Sequence, residues 1–203
     1  MRPGYEYAAK EAELVKYPGF SKDAKAAREE AKKLLKEAGA ENLKFVLTNR
    51  SVAMPYTPTA LFVIDQWRQI GVQVEHQQLE TAPYQASLKN GNYDAALNFA
   101  CDFMDEPNLQ LINYLSKDRS SLNYGNYIDR TLDDLYEKQK RATDKAQRYQ
   151  LIRQFEERLF QESYTAPVIW WHRIVLHDAR LKGWHITPSH YVGQDLADVW
   201  LDQ

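Results

Sequence analysis

Between Ser21 and Phe99 helix-like and strand-like segments alternate three times, and each helix-like segment closes on a glycine. Ser21 or Asp23 caps a stripe of Ala24, Ala27, Ala31, Leu34, Leu35 and Ala38 at helical spacing, and Gly39 offers a left-handed stop. Leu43 to Leu47 alternates as a strand. After a loop rich in Thr, Asn, Ser and Pro, Thr57-Pro58 places proline at a first helical position, opening a helix through Leu61, Ile64, Trp67 and Ile70 that ends at Gly71. A strand over Val72 to Glu75, a short helix capped by Thr81 and closed by Gly91, and an apolar strand over Asp94 to Phe99 complete the series. This order predicts an α/β fold with parallel crossovers and with sites at the carboxyl ends of the strands.

At 203 residues, the chain is long enough to bury a core without a disulfide or metal staple. With 44% apolar and 27% charged residues, its composition is that of a globular protein. The net charge of −2 argues against nucleic-acid binding through bulk positive charge, and the 13 Tyr, 7 Phe and 5 Trp exceed what a plain core needs. The single cysteine, Cys101, closes no internal disulfide and so says nothing about compartment. No stretch approaches the length of a membrane span, and no signal-like apolar run stands at Met1 to Tyr5.

Beyond Phe99 the pattern predicts a short helix near Asn108 to Leu115, a Tyr/Asn-rich loop at Asn123 to Tyr127, and two longer helices, one from Asp129 and one from Asp144 to Glu162. Val168 to Leu176 is the most strand-like run in the chain. Residues 183 to 203 lose periodicity and read as a tail that needs something to pack against.

No nucleophile elbow, P-loop, dinucleotide fingerprint, zinc-protease helix or cysteine pair is present. His172 and His177 would point to opposite faces of a strand, so His172, His177, His185 and His190 predict no metal site. The segment Asn98-Phe99-Ala100-Cys101-Asp102-Phe103-Met104-Asp105-Glu106-Pro107 is the most informative, because it follows a strand and mixes aromatics with carboxylates. Glu75, Glu80, Asp94, Asp102, Asp105 and Glu106 stand against Lys89 alone between Gly71 and Ser116, an acidic field suited to an amine. Two readings stay open for Asp105 and Glu106, a helix cap or site carboxylates. Asp102, between Cys101 and Phe103, needs a partner for its charge. Of adjacent Trp170 and Trp171, one faces each side of a strand, so one belongs to the core, and for the other two readings stay open, stacking on a ligand or a second lobe, or ordinary packing.

The order of motifs resembles the C-terminal part of the family 5 extracellular solute-binding proteins, the oligopeptide, dipeptide and nickel receptors of ABC importers. The resemblance is carried by Asp23 to Ala27, Leu34 to Gly39, Trp67 to Val74, Gly91 to Asp94, Asp105-Glu106-Pro107, Asn123 to Tyr127, Ala166 to Ile169 and Leu196 to Leu201. It implies one lobe of a type II periplasmic-binding-protein fold, a three-layer α/β/α sheet belonging to a two-lobed receptor. Residues 1–20 would form a connecting arm, 21–176 the ligand-binding lobe, and 177–203 a tail packing on an N-terminal lobe that this chain lacks.

The resemblance further implies a binding protein that grips a small solute by lobe closure without chemistry or cofactor, with an ABC permease as partner and no nucleic acid. Its place would be the periplasm or cell surface, reached by a signal that the chain does not carry, with membrane contact only through the permease. In similar peptide receptors an aspartate in an aromatic-Cys/Ala-Asp stretch pairs with the ligand's amino terminus, which implies that role for Asp102. Phe99, Phe103, Asn98 and one of Trp170 and Trp171 would line the site, with Asn49 as a polar lining residue. Arginines that hold peptide carboxylates in some members are matched here by Leu88 and Leu97. Two rival functions remain: a carboxylate- or metal-dependent hydrolase using Asp102, Asp105 and Glu106, and a protein-interaction domain.

Overall fold

The computed structural model describes residues 1–100, 104–172, 174–187 and 195–202. The chain divides into two compact units, one of residues 9–99 and 124–126, the other of residues 1–8, 100–123 and 127–203.

The first unit contains the predicted alternation. A single-turn helix α1 (Glu11–Leu14) precedes α2 (Ala24–Glu37), whose first N–H groups, Lys25 and Ala26, donate to the Asp23 carboxylate at 3.1 and 2.9 Å. Strand β1 (Lys44–Arg50) leads to α3 (Tyr56–Arg68), β2 (Gln73–Leu79), α4 (Thr81–Asn90) and β3 (Ala95–Leu97). The strands form a parallel sheet in the order β2-β1-β3, with Leu47 opposite both His76 and Ala95. β1 is central and therefore continuously buried over Leu47, Thr48 and Asn49. Leu47, Ala60 and Ile64 form the core between β1 and α3, flanked by Trp67, which meets Phe45 edge-on at 5.0 Å. At the far end of α4, Gly91 sits at φ +69°, a left-handed stop that a side chain would strain and crowd against the Asn126 amide, 2.7 Å away.

One local expectation is corrected. Helix α3 begins at Tyr56 after Pro55, one residue before Thr57, and the Thr57 hydroxyl donates to Val52 O at 3.4 Å instead of capping α3. The α2 stripe forms, yet none of its residues is buried, and Leu34 is exposed; a cap and pairs such as Lys32 with Glu29 at 3.0 Å sustain the helix locally.

The second unit is helical, with α5 (Pro107–Leu111), α6 (Arg130–Arg141) and α7 (Lys145–Glu162). Leu132 and Leu135 from α6 interlock with Ile152, Phe155 and Leu159 from α7, over Leu111, Leu115 and Tyr7. Asp129 caps α6 and Asp144 caps α7 through their carboxylates. Several buried polar groups pair here: Asp129 N–H donates to Ser116 Oγ at 2.9 Å, and Ser116 N–H donates to Asp133 Oδ1 at 3.0 Å. The first eight residues pack into this unit, where Arg153 Nη2 donates to Tyr7 O at 2.7 Å.

Val168 to Leu176 is not a strand among the described residues, which is a further correction. Its apolar side chains stand exposed, Leu176 at 93%, because β-rich composition becomes a strand only where a neighbouring strand accepts its backbone groups. The terminal residues instead form a two-stranded antiparallel ribbon, β4 (Leu181–Lys182) with β5 (Trp200–Leu201). No helix among the described residues is long and apolar enough to cross a membrane.

Candidate functional site

In the sheet order β2-β1-β3, the chain leaves β1 toward one side for β2 and returns to the other side for β3. The carboxyl ends of β1 and β3 therefore flank a topological switch point, where the loops diverge and leave a crevice. Four side chains meet there. Arg50 is the last residue of β1, Tyr56 opens α3, Tyr84 lies on α4, and Phe99 follows β3.

Tyr56 joins the others. Its ring meets Tyr84 at 6.4 Å and Phe99 at 6.3 Å, both edge-on, and the Arg50 guanidinium lies 5.9 Å from its centroid. Tyr84 is fully buried and its hydroxyl donates to Leu97 O at 2.7 Å, which ties α4 to the end of β3. Burial pushes the Tyr84 hydroxyl far above the ordinary tyrosine range, so it stays a donor. Phe99 is 50% exposed, an aromatic face held by Tyr56 but open to solvent, and Asn98 beside it is also exposed.

The remaining expected site residues are placed unevenly. Asn49 is fully buried, with its amide donating to Arg50 O at 2.9 Å and its Oδ1 against His76 Nε2, so it braces the sheet edge and offers no open polar atom. Asp102 and Phe103 lie outside the described residues. Trp170 and Trp171 are both about half exposed and belong to the helical unit. A shallow groove of about 480 Å³ lies between Ser51 to Ala53 and Thr57, Leu61 and Gln78, on the β2 side of the same sheet edge.

The acidic field is weaker than the sequence suggests. Asp94 Oδ2 accepts the Val46 N–H at 2.9 Å, where β1 starts before β3 can pair with it. Arg2 holds Asp105 through two nitrogens, with Nε 2.6 Å from Oδ1. Glu106 caps α5 by accepting the Asn108 N–H and pairs with Arg148 at 2.5 Å. The helix-cap reading thus holds for Glu106, and neither Asp105 nor Glu106 is an unpaired carboxylate free to act as acid or base.

Arg50, Tyr56 and Tyr84 were not singled out by the sequence. Arg50 falls where β1 was expected to have ended, and Tyr56 sat in a stretch that the Thr57-Pro58 signal assigned to loop. A cation placed at a strand's carboxyl end is the signal that points to Arg50.

Residues 3–121 match the family model described as bacterial extracellular solute-binding proteins, family 5 Middle. The chain belongs to the family 5 bacterial extracellular solute-binding proteins. Among curated family 5 relatives it is similar to di/tripeptide-binding protein 1 of Pseudomonas aeruginosa, with 29% identity over 158 residues, covering 75% of this chain and 29% of that protein. It is also similar to the periplasmic oligopeptide-binding protein OppA of Escherichia coli, with 29% identity over 191 residues, covering 92% of this chain and 33% of that protein. Of solved structures, OppA of Burkholderia pseudomallei superimposes with a TM-score of 0.76 at 21% identity, covering 90% of this chain and 36% of that one. DppA from Helicobacter pylori in complex with the peptide STSA gives 0.72 at 23% identity, covering 86% and 34%. The fold is that of one lobe of a periplasmic binding protein, and the chain spans about a third of the length of the curated family 5 relatives it matches.

Proposed function

We propose that this chain is part of the substrate-binding component of an ABC-type importer, which captures a peptide-like solute between two lobes and performs no chemistry on it. The observation that carries this reading is the half-exposed Phe99 at the switch point, braced by Tyr56 beside Arg50, in a family whose members bind solutes. The relatives named for di/tripeptide and oligopeptide binding support a peptide-like ligand.

In this proposal residues 21–176 carry the ligand-binding lobe, 1–20 lead into it, and 177–203 pack on an N-terminal lobe. Asp102 contacts the ligand's amino group, while Phe99, Phe103, Asn98 and one of Trp170 and Trp171 exclude water around it. Asn49 takes part by holding the strand end. The solute stabilises the closed form by its higher affinity for it. The permease is the membrane partner, and the receptor works in the periplasm or at the cell surface.

The test is mass spectrometry of small molecules that co-purify with the two-lobed receptor. A peptide-like solute released on denaturation is the expected result. A purified receptor that carries none, and binds none from a peptide mixture by calorimetry, sinks the proposal.

A further inference from the structure

Phe99 carries an apolar ring that little encloses. Half its surface is in water, and Tyr56, edge-on at 6.3 Å, is its ring partner among the described residues. A side chain packed on one side only is not fixed by its contacts, so it takes its direction from the backbone that carries it. That backbone is itself thinly held. Strand β3 covers three residues, Ala95 to Leu97, which pair with Leu47, Thr48 and Asn49 of β1, and it has no strand on its other side among the described residues.

The carbonyl of Leu97, two residues before Phe99, accepts the Tyr84 hydroxyl at 2.7 Å. Tyr84 is fully buried and presents nothing to a solute. Its ring also meets Tyr56 at 6.4 Å, so one side chain supports both the backbone that carries Phe99 and the ring on which Phe99 leans. The helix behind it is anchored. Helix α4 opens at Thr81, whose Oγ1 accepts from Arg50 Nε at 2.8 Å, and near its far end Ser87 Oγ donates to Asn92 O at 2.6 Å. Burying a hydroxyl costs free energy that only a hydrogen bond offsets, and a phenylalanine would fill nearly the same space without that cost. Packing of α4 on the sheet therefore needs the Tyr84 ring; what needs its oxygen is the end of β3.

We propose that Tyr84 is a positioning residue of the solute site, whose hydroxyl holds the end of β3 so that the Phe99 ring stands at the switch-point crevice, and that solute affinity depends on this hold. The inference deepens the solute-binding reading and rests on it. Tyr84 acts through Phe99 and never touches the solute. Supporting side chains locked by packing are what keep a contact surface in its productive geometry.

The test is a double-mutant cycle in the two-lobed receptor. The probe is the dipeptide or tripeptide that the unaltered receptor retains most strongly from a defined mixture, and affinity is read by calorimetry. Tyr84→Phe is expected to weaken binding by about threefold to tenfold, the worth of one hydrogen bond. In the Phe99→Ala background the same change is expected to cost nothing further, because the ring it aims is gone. Unchanged affinity in Tyr84→Phe overturns the assignment, as does a loss that adds in full to that of Phe99→Ala, the mark of a residue that only supports the fold. A second readout needs neither a Tyr84 variant nor a solute. With 4-fluorophenylalanine at position 99 and no other change, fluorine NMR is expected to show one narrow resonance displaced from that of a solvated ring, and Tyr84→Phe to move it toward the solvated value. A resonance already at the solvated value overturns the proposal. If the unaltered receptor retains no peptide, the solute-binding reading falls, and the fluorine resonance still decides whether Tyr84 holds the ring.

Discussion

Asp129 and Arg158 close the helical unit from α6 to α7, with Arg158 Nε donating to Asp129 Oδ2 at 2.8 Å while Oδ1 accepts the N–H groups of Thr131 and Leu132. Burial alone would raise the Asp129 carboxyl, but the Arg158 contact and the two backbone donors outweigh it and hold the group below the usual aspartate range. A depressed folded value contributes stability that is fully present above the unfolded value and is lost as pH falls through the folded one. Unfolding monitored by circular dichroism is therefore expected to show a loss of stability below about pH 4. Asp129→Asn should remove about 1.5–3 kcal/mol at neutral pH and flatten the Asp129 contribution to that acid slope. An unchanged slope in the variant would show that other carboxylates drive acid unfolding.

Gly183 tests the terminal ribbon. It sits at φ +76°, and a Cβ there would stand 2.0 Å from Asp198 O, a backbone atom that cannot swing aside. Gly183→Ala is expected to open the β4/β5 ribbon, exposing the Asp202 N–H that now donates to Arg180 O at 2.8 Å. Hydrogen exchange should report faster exchange at Asp202, with the α6/α7 core protected as before. Protection kept at Asp202 would contradict the ribbon.

Replacing Phe99 tests the proposed binding role apart from folding. Half its surface is in water and its described ring partner is Tyr56, so Phe99→Ala should cost the fold only about 1 kcal/mol or less. In the two-lobed receptor it should weaken solute binding by a larger margin, read by calorimetry. A variant that loses stability but keeps its affinity would make Phe99 a packing residue.

The carboxylates after β3 should divide in the same way. Asp102→Ala is expected to weaken an amine-bearing solute by about 1.5–3 kcal/mol. Glu106→Ala, which removes the α5 cap and the Arg148 partner, is expected to lower stability by about 1 kcal/mol and leave affinity alone. Equal affinities for the Asp102 variant and the unaltered receptor would remove Asp102 from the site.

Most of the fold was legible because it is written locally. Asp23, Asp129 and Asp144 cap the helices they were expected to open, and Gly39 and Gly91 adopt the left-handed conformation expected of them. Parallel pairing followed from strands separated by helices, and β1 with β2 and β3 pairs in that sense. The start of α3 was misplaced by two residues: Thr57-Pro58 reads as a cap and first helical proline, whereas Pro55 stands at the cap and Tyr56 opens the helix. The candidate site was legible only at Phe99 and Asn98, which follow a strand; Arg50 and Tyr56 come from a different stretch of chain, and no spacing rule connects residue 50 to residue 99.

Order along the chain thus determined the family 5 lobe and its layered α/β architecture, since caps, stops and apolar periods act within a few residues. Tertiary structure decided which charges are spent: Asp94 on the Val46 amide, Asp105 on Arg2 and Glu106 on Arg148, while Arg50 stays without a carboxylate among the described residues. It also decided that Val168 to Leu176 is no strand among the described residues, because pairing, unlike capping, requires a neighbour from elsewhere in the fold.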